Sequence, residues 1–203
     1  MKITKIVQQQ KRSTRYSVFV DEKYAFSLSE TKLLESQLVS GQELTKEQIA
    51  DYKKLSAEDK LYNRALNYVA LRPRSVWEVQ EYLRRKESPA PLIEHITNKL
   101  IGLGLLDDQK YAQMFVHDRT LLRPTSRRKM IMELRKKRLP EEVIQLTFEA
   151  EPTDDLTALR EIVAKKRQLT KYKNDELKFM QYLARQGFGY SDIKQVLGEA
   201  TDV

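Results

Sequence analysis

The chain has 203 residues, 40% of them hydrophobic and 33% charged, with a formal net charge of +8. It has no cysteine, which excludes disulfides, thiolate metal sites and a cysteine nucleophile. Its first residues lack the apolar run of a signal peptide, and no stretch approaches the roughly 18 apolar residues that span a bilayer, so a soluble, cytoplasmic chain without a membrane partner is expected.

Residues 1 to about 28 alternate in short period-two patterns through Ile3, Val7, Tyr16, Val18, Val20, Tyr24, Phe26 and Leu28. They predict a small antiparallel meander, with Asp21-Glu22-Lys23 as one turn and Lys11-Arg12-Ser13-Thr14-Arg15 as a basic loop. Three strands are marginal alone, so the sheet is expected to lean on the helices that follow. Two short helices are predicted next, one capped by Ser29 and one starting at Thr45.

From Ser56 onward the chain repeats. Leu71-Arg72-Pro73-Arg74-Ser75 returns 51 residues later as Leu122-Arg123-Pro124-Thr125-Ser126. The same offset carries Leu83 to Leu134 and Ile93 to Ile144, and a looser third copy follows 49 residues on at Leu183 and Ile193. A fixed period that preserves apolar anchors is the mark of stacked supersecondary units. The predicted fold is mainly α: three tandem three-helix repeats in an elongated curved array, preceded by the small sheet and short helices. The expected boundaries are 1–55, 56–106, 107–151 and 152–203.

In repeat one, Ser56-Ala57-Glu58-Asp59 resembles a capping box, Ser75 with Glu78 forms a fuller one, and Pro91 opens the third helix. In repeat two, Asp107 and Ser126 cap the first two helices, and Pro140 takes the first position of the third. Lys129 stands where repeat one has Glu78, so that capping box is not reproduced. In repeat three, Asn174 or Asp175 takes the capping place, Leu177, Met180 and Ala184 follow at helical spacing, and Ser191 opens the last helix.

The chemistry-bearing feature is charge placement. Arg123, Arg127, Arg128, Lys129, Arg135, Lys136, Lys137 and Arg138 fall within sixteen residues that hold one acid, Glu133. Repeat one has Arg72, Arg74, Arg84, Arg85 and Lys86 in the equivalent element, and repeat three keeps Arg185. In-register stacking would align these side chains as a stripe able to follow phosphates or the acidic wall of a protein groove. The bland alternative is a set of solvated surface cations. Tyr16, Phe19 and Tyr24 can stack on bases or pack the sheet, and packing is the favoured reading.

Catalysis has little support. Asp107-Asp108 is an adjacent acidic pair suited to a metal or a shared proton, but a helix start needs an acid there too, and capping is favoured. His95 and His117 lack ligand spacing, and no glycine loop or nucleophile motif is present. No catalytic residue, metal or cofactor is expected.

Together, Arg72-Pro73-Arg74-Ser75, Leu83, Leu105-Leu106-Asp107-Asp108, Tyr111-Ala112, Gly187-Phe188 and Ile193 resemble the RecX family. The likeness covers residues 57 to about 198, and residues 16–44 resemble the N-terminal extension of longer members. It implies a non-enzymatic regulator of the RecA recombinase in DNA repair and homologous recombination. Such a protein binds in the groove of the RecA–DNA filament and limits its growth, ATPase and strand exchange. The implied partners are that filament and single- and double-stranded DNA, and the chain is expected to be a monomer. The alternative is a general DNA-binding helical module without a recombinase partner.

Overall fold

The computed structural model describes residues 1–10 and 12–199. Contacts divide the chain into two units, residues 1–72 with 79–105, and residues 73–78 with 106–203.

The first unit opens with β1 (Ile3–Gln9), β2 (Arg12–Val20) and β3 (Lys23–Ser29), an antiparallel meander in the order β1-β2-β3. The β2–β3 turn has no glycine, yet Asp21 and Glu22 both take positive φ, 47° and 66°. That left-handed pair matches the right-handed twist of a tight hairpin, and aspartate tolerates it better than most side chains. The expected basic loop is not found over residues 12–15, which belong to β2; Lys11 lies outside the described residues.

Ser29 caps α1 (Glu30–Ser36), and Thr45 forms a capping box with Gln48 at the start of α2 (Lys46–Ala70). The predicted break at Ser56 does not occur: α2 runs through it for 25 residues. The residues that read as a capping box are instead a buried polar junction between the helix and the sheet. Ser56 Oγ donates to Ser27 O at 2.6 Å. Arg15 donates to Asp59 Oδ2 at 2.7 Å and to Ser27 O at 2.7 Å, and Asp59 also accepts from Ser29 N, Ser29 Oγ and Asn63 Nδ2. Every oxygen of Asp59 is thus occupied, as a buried carboxylate requires. Around this junction Ile3, Val18, Val20, Phe26, Leu28, Leu38, Leu44 and Ile49 form the apolar core, and Phe26 stacks on Tyr52 at 5.3 Å.

Two further helices continue this part of the chain, α3 (Val76–Arg84) and α4 (Ala90–Gly102). The anchors Leu83 and Ile93 are both buried, and Tyr68 of α2 stacks on Tyr82 at 4.2 Å.

The second unit holds α5 (Asp108–Leu121), α6 (Arg127–Lys136) and α7 (Glu141–Ala150) around Tyr111, Ala112, Val116, Met130, Leu134, Ile144 and Phe148. Pro140 is the cap of α7 rather than its first helical residue. A second core joins α8 (Asp155–Lys166), α9 (Thr170–Lys173), α10 (Glu176–Arg185) and α11 (Tyr190–Glu199). Helix α9 was not expected; its Tyr172 turns inward and stacks on Phe179 at 4.9 Å. On α10 the expected Leu183 is buried and Met180 packs against the core, but Phe179 is buried as well and Leu177 and Ala184 face solvent, so the predicted stripe holds only in part. Asp175 caps α10 as expected, and Ser191 lies inside α11.

Replacing Asp59 with Ala strands the Arg15 guanidinium in the core. The expected loss is about 3–5 kcal/mol, measured by chemical denaturation, and a loss below about 1 kcal/mol contradicts the junction.

Candidate functional site

The polar residues recur along the chain with the same discipline as the apolar ones. Ser75 Oγ accepts from Glu78 N at 3.2 Å, and Ser126 Oγ accepts from Lys129 N at 3.2 Å, each capping its helix. Each hydroxyl also donates outward. Ser75 donates to the carbonyl of Lys137, which follows α6, and Ser126 donates to the carbonyl of Gln186, which follows α10. Helices leave their last carbonyls without internal partners, so a serine on one element completes the end of another.

A second bond accompanies each serine. The N–H of Val76 donates to Asp108 Oδ1 at 2.9 Å, and the N–H of Arg127 donates to Asp155 Oδ1 at 2.7 Å. These are first-turn amides, again without acceptors inside their own helices. Burial raises the pKa of both carboxyls, offset in part by the backbone N–H that each accepts. Asp107 caps α5 through Lys110 N at 3.0 Å, and Asp154 caps α8. Both acids of the Asp107-Asp108 pair therefore have backbone partners.

A third link explains the missing capping box. Glu78 receives the Lys137 ammonium at 2.7 Å, whereas Lys129 donates to Gln186 Oε1 at 2.5 Å. The same two positions meet at both junctions, with the side chains changed from acid and base to base and amide. Glu87, Arg138 and Gly187 all take positive φ at corresponding positions. Two of them carry side chains, but a Cβ at Gly187 would collide with Ser126 Oγ. At that junction the Ser126–Gln186 bond is 2.7 Å, against 3.2 Å for Ser75–Lys137.

This framework sorts the basic residues. Lys129 and Lys137 are engaged as above. Arg127 lies with its guanidinium 5.1 Å from the Phe148 ring centre, and Arg135 holds Glu141 through two bonds at 2.9 and 2.5 Å. The Arg135 bonds lower the Glu141 pKa. In the first unit, Arg84 and Arg85 share the Glu81 carboxylate, and Lys86 sits 5.6 Å from the Tyr82 ring. Arg74, 3.9 Å from Glu78, is largely enclosed, whereas Arg72 is exposed. Arg123, Arg128, Lys136 and Arg138 are exposed and make no ion pair among the described residues. On α6, Arg128, Met132, Arg135 and Lys136 fall at i, i+4, i+7 and i+8, one solvent-facing side opposite the buried Met130 and Leu134. The sequence read all eight of these residues as one face; the structure separates those tied into the fold from those directed to solvent.

Comparison with known proteins fits this repeat architecture. Three family models match: the regulatory protein RecX N-terminal domain over residues 1–45, the first RecX three-helix domain over 62–100 and the second over 107–146. A regulatory protein RecX of Bacillus pumilus is 32% identical over 98% of this chain and 78% of its own. The chain belongs to the RecX family. The RecX of Lactobacillus gasseri is 37% identical over 70% of this chain, but the match spans 52% of that relative's length. A crystal structure of regulatory protein RecX superposes with a TM-score of 0.70 and 28% identity, covering 97% of this chain and 98% of that one. RecX from Lactobacillus salivarius gives a TM-score of 0.58 at 26% identity, over 72% and 97%. The family is named for regulation.

Replacing Asp108 with Asn keeps an oxygen acceptor for Val76 N–H and removes the buried charge. A folded-state pKa raised above the ordinary aspartate value of 3.8 favours the folded state below that pH and loses the benefit as pH rises through the raised value. Wild type should therefore lose stability relative to Asp108→Asn as pH climbs from below 3.8 to neutrality. Denaturant midpoints across that range measure it, and a constant difference contradicts the assignment.

Proposed function

We propose that this RecX-family chain regulates the RecA recombinase by occupying the RecA–DNA filament, and that it limits filament growth, ATPase and strand exchange without catalysing a reaction. The observation that carries this reading is the set of exposed cations without carboxylate partners among the described residues, Arg123, Arg128, Lys136 and Arg138, on and beside one helix of the second three-helix domain. Guanidinium and ammonium groups held on a rigid helix suit phosphates or an acidic protein wall. Arg135 joins them when a stronger anion displaces Glu141, since an exposed ion pair is held by only about 0–1 kcal/mol. Regulation by occupancy needs differential affinity for filament states rather than reactive groups.

The partners in this reading are the recombinase filament and its single-stranded DNA. Equimolar protein in low salt should slow recombinase ATP hydrolysis on single-stranded DNA, and an unchanged rate overturns the reading. The double variant Arg128→Glu with Lys136→Glu is the matching probe, because neither side chain is tied into the fold. It should weaken filament binding and reduce the salt dependence by about 0.7 per lost phosphate contact on a logarithmic scale. Equal losses on filament and naked DNA would favour a general DNA-binding module instead.

A further inference from the structure

The N-terminal sheet carries a feature that the basic helices do not explain. Lys5 of β1 pairs in register with Phe19 of β2, and Phe19 pairs with Tyr24 of β3. Residues directly opposite one another project from the same face of a sheet. The three side chains therefore form one row across all three strands. Phe19 and Tyr24 meet edge to face, with ring centres 6.1 Å apart. Tyr24 is 53% exposed, Phe19 is partly exposed, and Lys5 is exposed.

Sequence reasoning favoured packing for these rings. The sheet's core is built instead from Ile3, Val18, Val20, Phe26 and Leu28, and neither Phe19 nor Tyr24 belongs to it. Two aromatic rings left outside the core cluster, beside a lysine, call for a partner with a flat π face and negative charge. The charge pattern agrees. None of the strand residues is acidic, and Lys5 and Lys23 are exposed and basic; Arg15 is buried against Asp59 and takes no part. The adjoining turn carries two acids: Asp21 accepts the Lys2 N–H at 2.8 Å, and Glu22 is exposed, its N–H donating to Thr4 Oγ1.

We infer that this row is a stacking platform for single-stranded nucleic acid, with Tyr24 and Phe19 receiving bases and Lys5 meeting a phosphate. The chemistry is sequence-tolerant, because every base offers a π face. A cation placed beside such a platform follows the backbone and adds salt dependence. The inference is independent of the recombinase reading, since it concerns the sheet and naked oligonucleotides.

The test uses the full chain with a fluorescent oligothymidylate and an otherwise identical abasic oligomer, read by anisotropy at low salt. Tyr24→Ala should weaken oligothymidylate binding by about fivefold or more, as expected for one lost base stack. It should leave abasic binding and the thermal midpoint unchanged. Tyr24→Trp should retain affinity, and Lys5→Glu should weaken binding to both oligomers. An unchanged affinity in Tyr24→Ala overturns the platform, as does an equal loss on the abasic oligomer or a wild type that fails to bind. If Arg128→Glu with Lys136→Glu loses binding while Tyr24→Ala keeps it, the sheet inference fails and the helical surface stands.

Discussion

The arrangement depends on serine hydroxyls that work in both directions. Ser75 and Ser126 each accept a first-turn amide from their own helix and donate to a carbonyl at the end of another. Alanine could do neither, and an aspartate cap could accept but not donate. Repeat three illustrates the contrast. Its cap is Asp175, which accepts the Lys178 N–H. The residue type at the cap thus follows the number of bonds required of it. Beside each serine, Asp108 or Asp155 takes the neighbouring amide, so two orphaned donors and one orphaned carbonyl are satisfied together. A buried polar cluster of this kind specifies orientation as well as stability, because misalignment leaves desolvated groups unpaired.

Like charges divide their labour on this framework. Lys137 and Lys129 reinforce the two junctions through Glu78 and Gln186. Arg128 and Lys136, on the opposite side of α6 from its buried anchors, do not take part. A helix fixed at its N-terminus by Ser126 and Asp155, and at its C-terminal end by Leu134 and Leu139 in the core, presents those cations in a defined geometry. The family assignment and this geometry support the same reading, in which a partner is recognised by charge on a preorganised surface.

Much of the helical part was legible because its signals are local or periodic. The offset of 51 residues placed Leu83, Ile93, Leu134 and Ile144 in the core, and cap chemistry placed Ser75, Asp107 and Ser126. What stayed hidden was long-range polar pairing. Ser56 and Asp59 carry the spacing of a helix start, yet they serve Ser27 and Arg15, which are distant in sequence. The aromatic pair Tyr172–Phe179, which buries Phe179 on α10, was missed for a different reason: it lies outside the repeat's apolar anchors. The polar residues also recur at near-repeat spacing. Asp107-Asp108 recurs 47 residues on as Asp154-Asp155, and the 51-residue offset pairs Glu78 with Lys129, which together point to a shared junction rather than to separate acidic pairs.

The most direct measurement is amide hydrogen exchange at Val76 and Arg127. Each is the first amide of its helix and has no acceptor within it, so slow exchange there can come only from Asp108 and Asp155. The account predicts that both amides exchange much more slowly than exposed amides. Exchange at the rate of a free amide at either position would contradict it.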